Sequence, residues 1–129
     1  MKTDAVGRVE VGGVNQNVTV ALGAPSLTFY DAYLDTSTSG DNLVITNATS
    51  GTAITVHGYA ISCGSTATDV YFKSTTGTQE THTMQFGANG GTVEPRSIIP
   101  CFSCPTGESL YVNLSDSNAV NVSIYYRIV

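Results

Sequence analysis

A chain of 129 residues with 41% hydrophobic and only 12% charged side chains has the material for one buried core and too little length for two comfortable ones. Its formal net charge is −5, and the five basic residues, Lys2, Arg8, Lys73, Arg96 and Arg127, are scattered, so nothing neutralises a phosphate backbone and nucleic acid is excluded as the main partner. No stretch approaches the roughly 18 apolar residues of a membrane span, and no apolar run follows Lys2, so neither a membrane segment nor a secretion signal is expected.

Residues 1–13 carry three glycines and few apolar side chains. They read as a flexible or partner-ordered arm, with Ala5, Arg8, Val9 and Val11 as candidate contact residues, or as a short edge strand at Arg8–Val11. Residues 14–129 form the domain proper. No window has helical periodicity, whereas alternation of period two recurs throughout. Strands are expected at Val18–Leu22, Ser26–Leu34, Leu43–Thr46 and Thr52–Ser62, with Gly, Ser, Thr, Asn and Asp clusters between them. Val70 and Phe72 alternate with Tyr71 and Lys73, and TTGTQE then turns the chain into His82, Met84 and Phe86 as a hairpin. Leu110, Val112 and Leu114 alternate with Tyr111 and Asn113. The SDSN turn is expected to join them, as a second hairpin, to Val120, Val122, Ile124, Tyr126 and Ile128. Short strands with polar turns predict an all-β fold: a single compact antiparallel β-sandwich or jelly roll whose strand order stays open.

Cys101-x-x-Cys104 raises the question of a metal or redox site. Zinc needs about four convergent ligands. Only Cys63, His57 and His82 are at hand to complete the set, without a second CxxC or an HxxxH. Pro100 and Pro105 bracket the pair as they bracket a turn. A thioredoxin-like role needs a helix start beside a βαβ unit, and no helix is visible. His57 and His82 sit in the middle of alternating stretches with no nucleophile elbow, and the acidic residues lie mostly in turns, so no catalytic set, metal or cofactor is expected. GANGG at 87–91 links two strands and lacks the helix start that cradles phosphate. All three cysteines are expected to remain thiols in a reducing cytoplasm. The aromatic residues are more suggestive. Phe29, Tyr30 and Tyr33 lie close in sequence, and Tyr125 is expected to face outward beside an inward Tyr126. Exposed tyrosines at 30, 33 and 125 anchor protein interfaces or stack on sugars; equally, they sit at the edge of a core with wet hydroxyls.

The second half carries a resemblance. Val70, Phe72, Lys73 and Ser74, then Ala88-Asn89-Gly90-Gly91 with Val93 and Pro95, then Gly107, Glu108, Leu110, Leu114 and Ser115 before a valine-rich closing strand, are similar to a recurring small virion protein of tailed bacteriophages. The similarity covers about residues 52–129 and departs at Cys101-Phe102-Ser103-Cys104, where it implies a variable inter-strand turn without metal. It implies a non-enzymatic capsid cement or decoration protein. Such a protein is a homotrimer on the outer surface of the head, bound to the major capsid protein and made in the host cytoplasm. The other reading the residues leave open is a receptor- or glycan-binding module of a tail fibre or baseplate.

Overall fold

The structure, a computed structural model, describes residues 27–129. The expected arm at residues 1–13, with Ala5, Arg8, Val9 and Val11, and the expected strand at Val18–Leu22 lie outside the described residues. Among the described residues the strands are β1 (Tyr30–Thr36), β2 (Gly40–Ile45), β3 (Ile54–Cys63), β4 (Thr68–Ser74), β5 (Met84–Phe86), β6 (Gly91–Glu94), β7 (Phe102–Ser103), β8 (Leu110–Leu114) and β9 (Val120–Ile128).

They form two antiparallel sheets. One runs β1-β9-β3-β6, with β7 also on β3, and the other runs β2-β8-β4-β5. With the two-residue β7 set aside, successive strands alternate between the sheets except at β4-β5, which is the strand order of a jelly roll. The core lies between the sheets and is made by the period-two alternation. Val70 and Phe72 on β4, Leu110, Val112 and Leu114 on β8, and Val120, Val122 and Ile124 on β9 are all buried, together with Ile54 and Val56 of β3. Each such side chain contributes about 1.5–3 kcal/mol by leaving water. Aromatic contacts tie the sheets together: Tyr59 of β3 meets Phe72 edge-on at 5.1 Å, and Phe102 of β7 stacks on Phe72 at 5.5 Å.

The β4-β5 hairpin forms as expected, with Val70 opposite Met84 and Thr68 opposite Phe86. Its turn is tight because Gly77 takes φ 96°, a conformation costly to other residues, and donates its amide to Ser74 O. The expected β8-β9 hairpin does not form. β8 pairs with β2 and β4, whereas β9 pairs with β1 and β3, so residues 115–119 arch from one sheet to the other. Both strands are apolar on one face only, and facing each other across the core buries both sets. Asn118 holds the arch, its Nδ2 donating to Thr68 Oγ1 at 2.9 Å and to the Thr66 carbonyl. His82, expected within a strand, lies exposed ahead of β5. Between Cys101 and Cys104, expected as a turn, Phe102 and Ser103 instead form the short edge strand β7 against β3.

Candidate interaction surface

The outer face of the β1-β9-β3-β6 sheet carries most of the aromatic residues singled out above. Tyr125 lies on that face and Tyr126 on the inner one, as the alternation requires. Tyr33 is outward and 72% exposed. Tyr30 is not on the same face: it pairs with Tyr126 and its ring leans on Tyr126 at 5.6 Å, because residues three apart on a strand point to opposite sides. The structure therefore separates Tyr30 from Tyr33. Tyr125 is already engaged: Phe29 stacks on its ring at 4.7 Å and the Arg96 guanidinium lies 4.3 Å from its centroid. Arg96 continues to Asp31 on β1, with Nη2 2.7 Å from Oδ1.

What brings Arg96 across the sheet is a bulge in β3. The pairing of β3 with β9 slips between Val56 and Gly58, leaving His57 as the extra residue. A Cβ on Gly58 would come within 3.0 Å of Arg96 Cα, so the absence of a side chain admits the Arg96 backbone. Beyond β6, residues 95–101 form an excursion fastened at its base. Ser97 donates its amide to His57 O at 2.9 Å, and Cys101 donates to Val56 O at 2.7 Å. The His57 ring, 1% exposed, completes the fastening: Nδ1 lies 3.0 Å from the Ser97 carbonyl oxygen and Nε2 3.0 Å from Thr55 Oγ1. A carbonyl only accepts, so Nδ1 carries the proton and Nε2 accepts from the threonine hydroxyl. Phe29 caps the ring edge-on at 5.1 Å.

The apex of this excursion is Ile98 and Ile99, 74% and 72% exposed between Pro95 and Pro100. Val93 on β6 adds a third apolar side chain, 70% exposed. None of these was expected from the sequence. The signal was the string Ser97-Ile98-Ile99-Pro100: adjacent residues of a strand point opposite ways, so two neighbouring isoleucines in a proline-flanked segment cannot both face a core. The outer face of the second sheet differs. There Asp41 holds Lys73 Nζ at 2.7 Å and Asn113 Nδ2 at 2.6 Å, and these bonds, Lys73 first, keep its carboxyl below the usual range.

The thiols do not build a centre. Cys101 and Cys104 flank β7, both donating backbone amides to β3, at Val56 O and Ile54 O. Extended backbone places Cα atoms three residues apart at about 10 Å, beyond the ~7 Å that a disulfide spans. Cys104 is buried, and burial followed by the Glu80 and Glu108 carboxylates pushes its thiol up to about 12. Burial, then Glu94, raises Cys101 as well. Both shifts oppose the thiolate that a ligand or nucleophile requires. Tyr59, Glu80, His82, Glu94 and Cys101 do share a cleft of about 340 Å³ at the rim of the sandwich. Yet among the described residues no three His, Cys, Asp or Glu side chains converge as an ion requires. No protein-family model and no curated protein matches the chain.

Proposed function

We propose that the chain is a bacteriophage capsid cement protein, a non-enzymatic binding module that docks as a homotrimer on the outer surface of the assembled head and contacts the major capsid protein. The observation that carries this reading is the Ile98–Ile99 apex: two large apolar side chains held in solvent by hydrogen bonds from His57 and Ser97 at its base. An apolar anchor fixed before binding loses little conformational freedom on docking, which is the property of an interface hot spot. The weakly charged surface and the resemblance of residues 52–129 to phage virion proteins support the same reading. Contacts weak one at a time become effective when several are made at once on a preformed lattice, and a shell held this way resists internal pressure.

The test removes the protein from virions, adds it back to mature heads and to isolated coat subunits, and follows DNA release on heating. Binding to heads with a raised release temperature supports the reading, and equal affinity for free subunits counts against it. A glycan-binding tail module is the second reading, favoured by Tyr33 standing 72% exposed beside Ser123. A handful of copies per virion, together with host-surface glycan binding, would move the assignment there.

A further inference from the structure

β1 stands at the edge of the first sheet. Among the described residues it pairs with β9 alone, and none of its residues joins the backbone bonds made outside the ladders. In an antiparallel pair alternate residues turn both N–H and C=O away from the partner, so among the described residues the far side of Tyr30–Thr36 carries a row of open donors and acceptors. The core is left open at the same place. Tyr30, Ala32 and Leu34 share the inner face with their partners Tyr126, Ile124 and Val122. Ile124 and Val122 are 1% and 2% exposed, whereas Ala32 and Leu34 are only half-buried and Tyr30 is 48% exposed. Val44, on the edge strand β2 of the facing sheet, is half-buried too. Thr36 Oγ1 donates to Asn42 Oδ1 at 2.8 Å and ties the two edge strands together at one end. The apolar side chains farther along line a side of the sandwich that no described strand covers.

We propose that residues 18–22 of the same chain add to this edge as a strand antiparallel to β1 and lay Val18, Val20 and Leu22 over the open side. This pairing does not depend on the cement reading. Three properties select the occupant. Its alternation matches the gap, with Val18, Val20 and Leu22 on one face and Thr19 and Ala21 on the other. It carries no charge, so it fits beside Asp31 and Asp35, which leave β1 on the outer face opposite Tyr125 and Asn121. It is also tethered: residues 23–29 reach about 24 Å when extended, and the neighbouring position in a sheet is only about 4.8 Å away. Gly23, Pro25 and Ser26 suit the turn. A tether this short holds the segment near the edge at a millimolar-range effective concentration, which a free second copy or coat subunit in dilute solution does not reach. The edge is then closed to strand addition by any other chain. Partner contacts fall instead to residues 1–13 and to the Ile98–Ile99 apex.

The experiment is NMR on the full chain in dilute solution. Cross-strand NOEs between residues 18–22 and Tyr30–Thr36 are expected. The alternate β1 amides that do not bond β9 are expected to exchange at least about 100-fold more slowly than in an open chain. Adjacent amides of a strand point opposite ways, so only one of Thr19→Pro and Val20→Pro removes a ladder bond. That variant is expected to return the far-side β1 amides to within about tenfold of open-chain exchange, while the other keeps them slow. Slow amides in β4 and β8 report that the sandwich persists. Absent NOEs or freely exchanging far-side amides in the wild type overturn the proposal, and so does protection that survives both prolines. Protection that rises with chain concentration gives the edge to a second copy and overturns pairing within the chain. Should a proline variant unfold altogether, the wild-type NOEs decide.

Discussion

His57 Nδ1 and the Ser97 carbonyl oxygen, forty residues apart in the chain, meet at 3.0 Å beneath the exposed Ile98–Ile99 apex. The bond fastens a surface feature to a buried bulge. Replacing His57 with Leu keeps bulk but leaves the Ser97 carbonyl and the Thr55 hydroxyl without their partner, at a cost of about 1–3 kcal/mol. His57→Asn, whose amide nitrogen falls near the position of Nδ1, is expected to recover part of that. Hydrogen exchange at the Ser97 and Cys101 amides is the check: both should quicken in His57→Leu by more than the global loss of stability explains.

The apex itself is expected to contribute little to folding. Ile99→Ala removes a side chain that touches mostly water and should change the unfolding free energy by less than about 0.5 kcal/mol. Phe72→Ala, at the junction of the two sheets, should cost about 3–5 kcal/mol. Urea unfolding of both variants measures the contrast. An Ile99→Ala loss comparable to that of Phe72→Ala would mean that the apex belongs to the core.

The sandwich was legible because its strands alternate: Val70 and Phe72, Leu110 to Leu114 and Val120 to Ile128 each place one apolar set on one face, and the structure buries those sets. Beyond the β4-β5 hairpin, the partners of the strands were not legible. β8 and β9 are separated by a turn sequence that suits a hairpin, and only the need to bury both inner faces at once sends them to different sheets. Likewise the alternation located Tyr33 and Tyr125 on an outer face. It carried no sign that Phe29 and Arg96 already occupy Tyr125, because that contact depends on a bulge at His57 and a glycine at 58. The apex could be sensed only as an anomaly, two adjacent isoleucines where alternation allows one.

Asn118 is expected to decide whether the β8-β9 arch closes. Its side chain is buried and donates to Thr68 Oγ1 and the Thr66 carbonyl, while the Gly64 amide donates to Ala119 O beside it. Asn118→Ala leaves buried acceptors unpaired and should cost about 1–3 kcal/mol. Asn118→Asp offers acceptors where donors are needed and is expected to cost more than Ala. Thermal melts of the two variants give the order, and an Asp variant as stable as wild type would rule out the pinning role.

Alkaline pH is expected to destabilise the fold through Cys104. In the native chain burial, followed by Glu80 and Glu108, pushes this thiol up to about 12; in the unfolded chain it titrates near its ordinary value of about 8.5. Between those values the unfolded state has released a proton that the native state keeps, so stability falls as pH rises. The contribution is whole below about pH 8.5 and is lost progressively toward about pH 12. Burial also raises Cys63, Cys101, Tyr59 and Tyr126, which adds to the same slope. Cys104→Ala should cost about 1 kcal/mol near neutrality for the cavity left by one sulfur. It should also flatten the alkaline decline, whereas Cys101→Ala, at an exposed position, should change the neutral value little. Urea midpoints measured from neutral to alkaline pH decide the matter: a Cys104→Ala curve parallel to wild type would show that another group drives the loss.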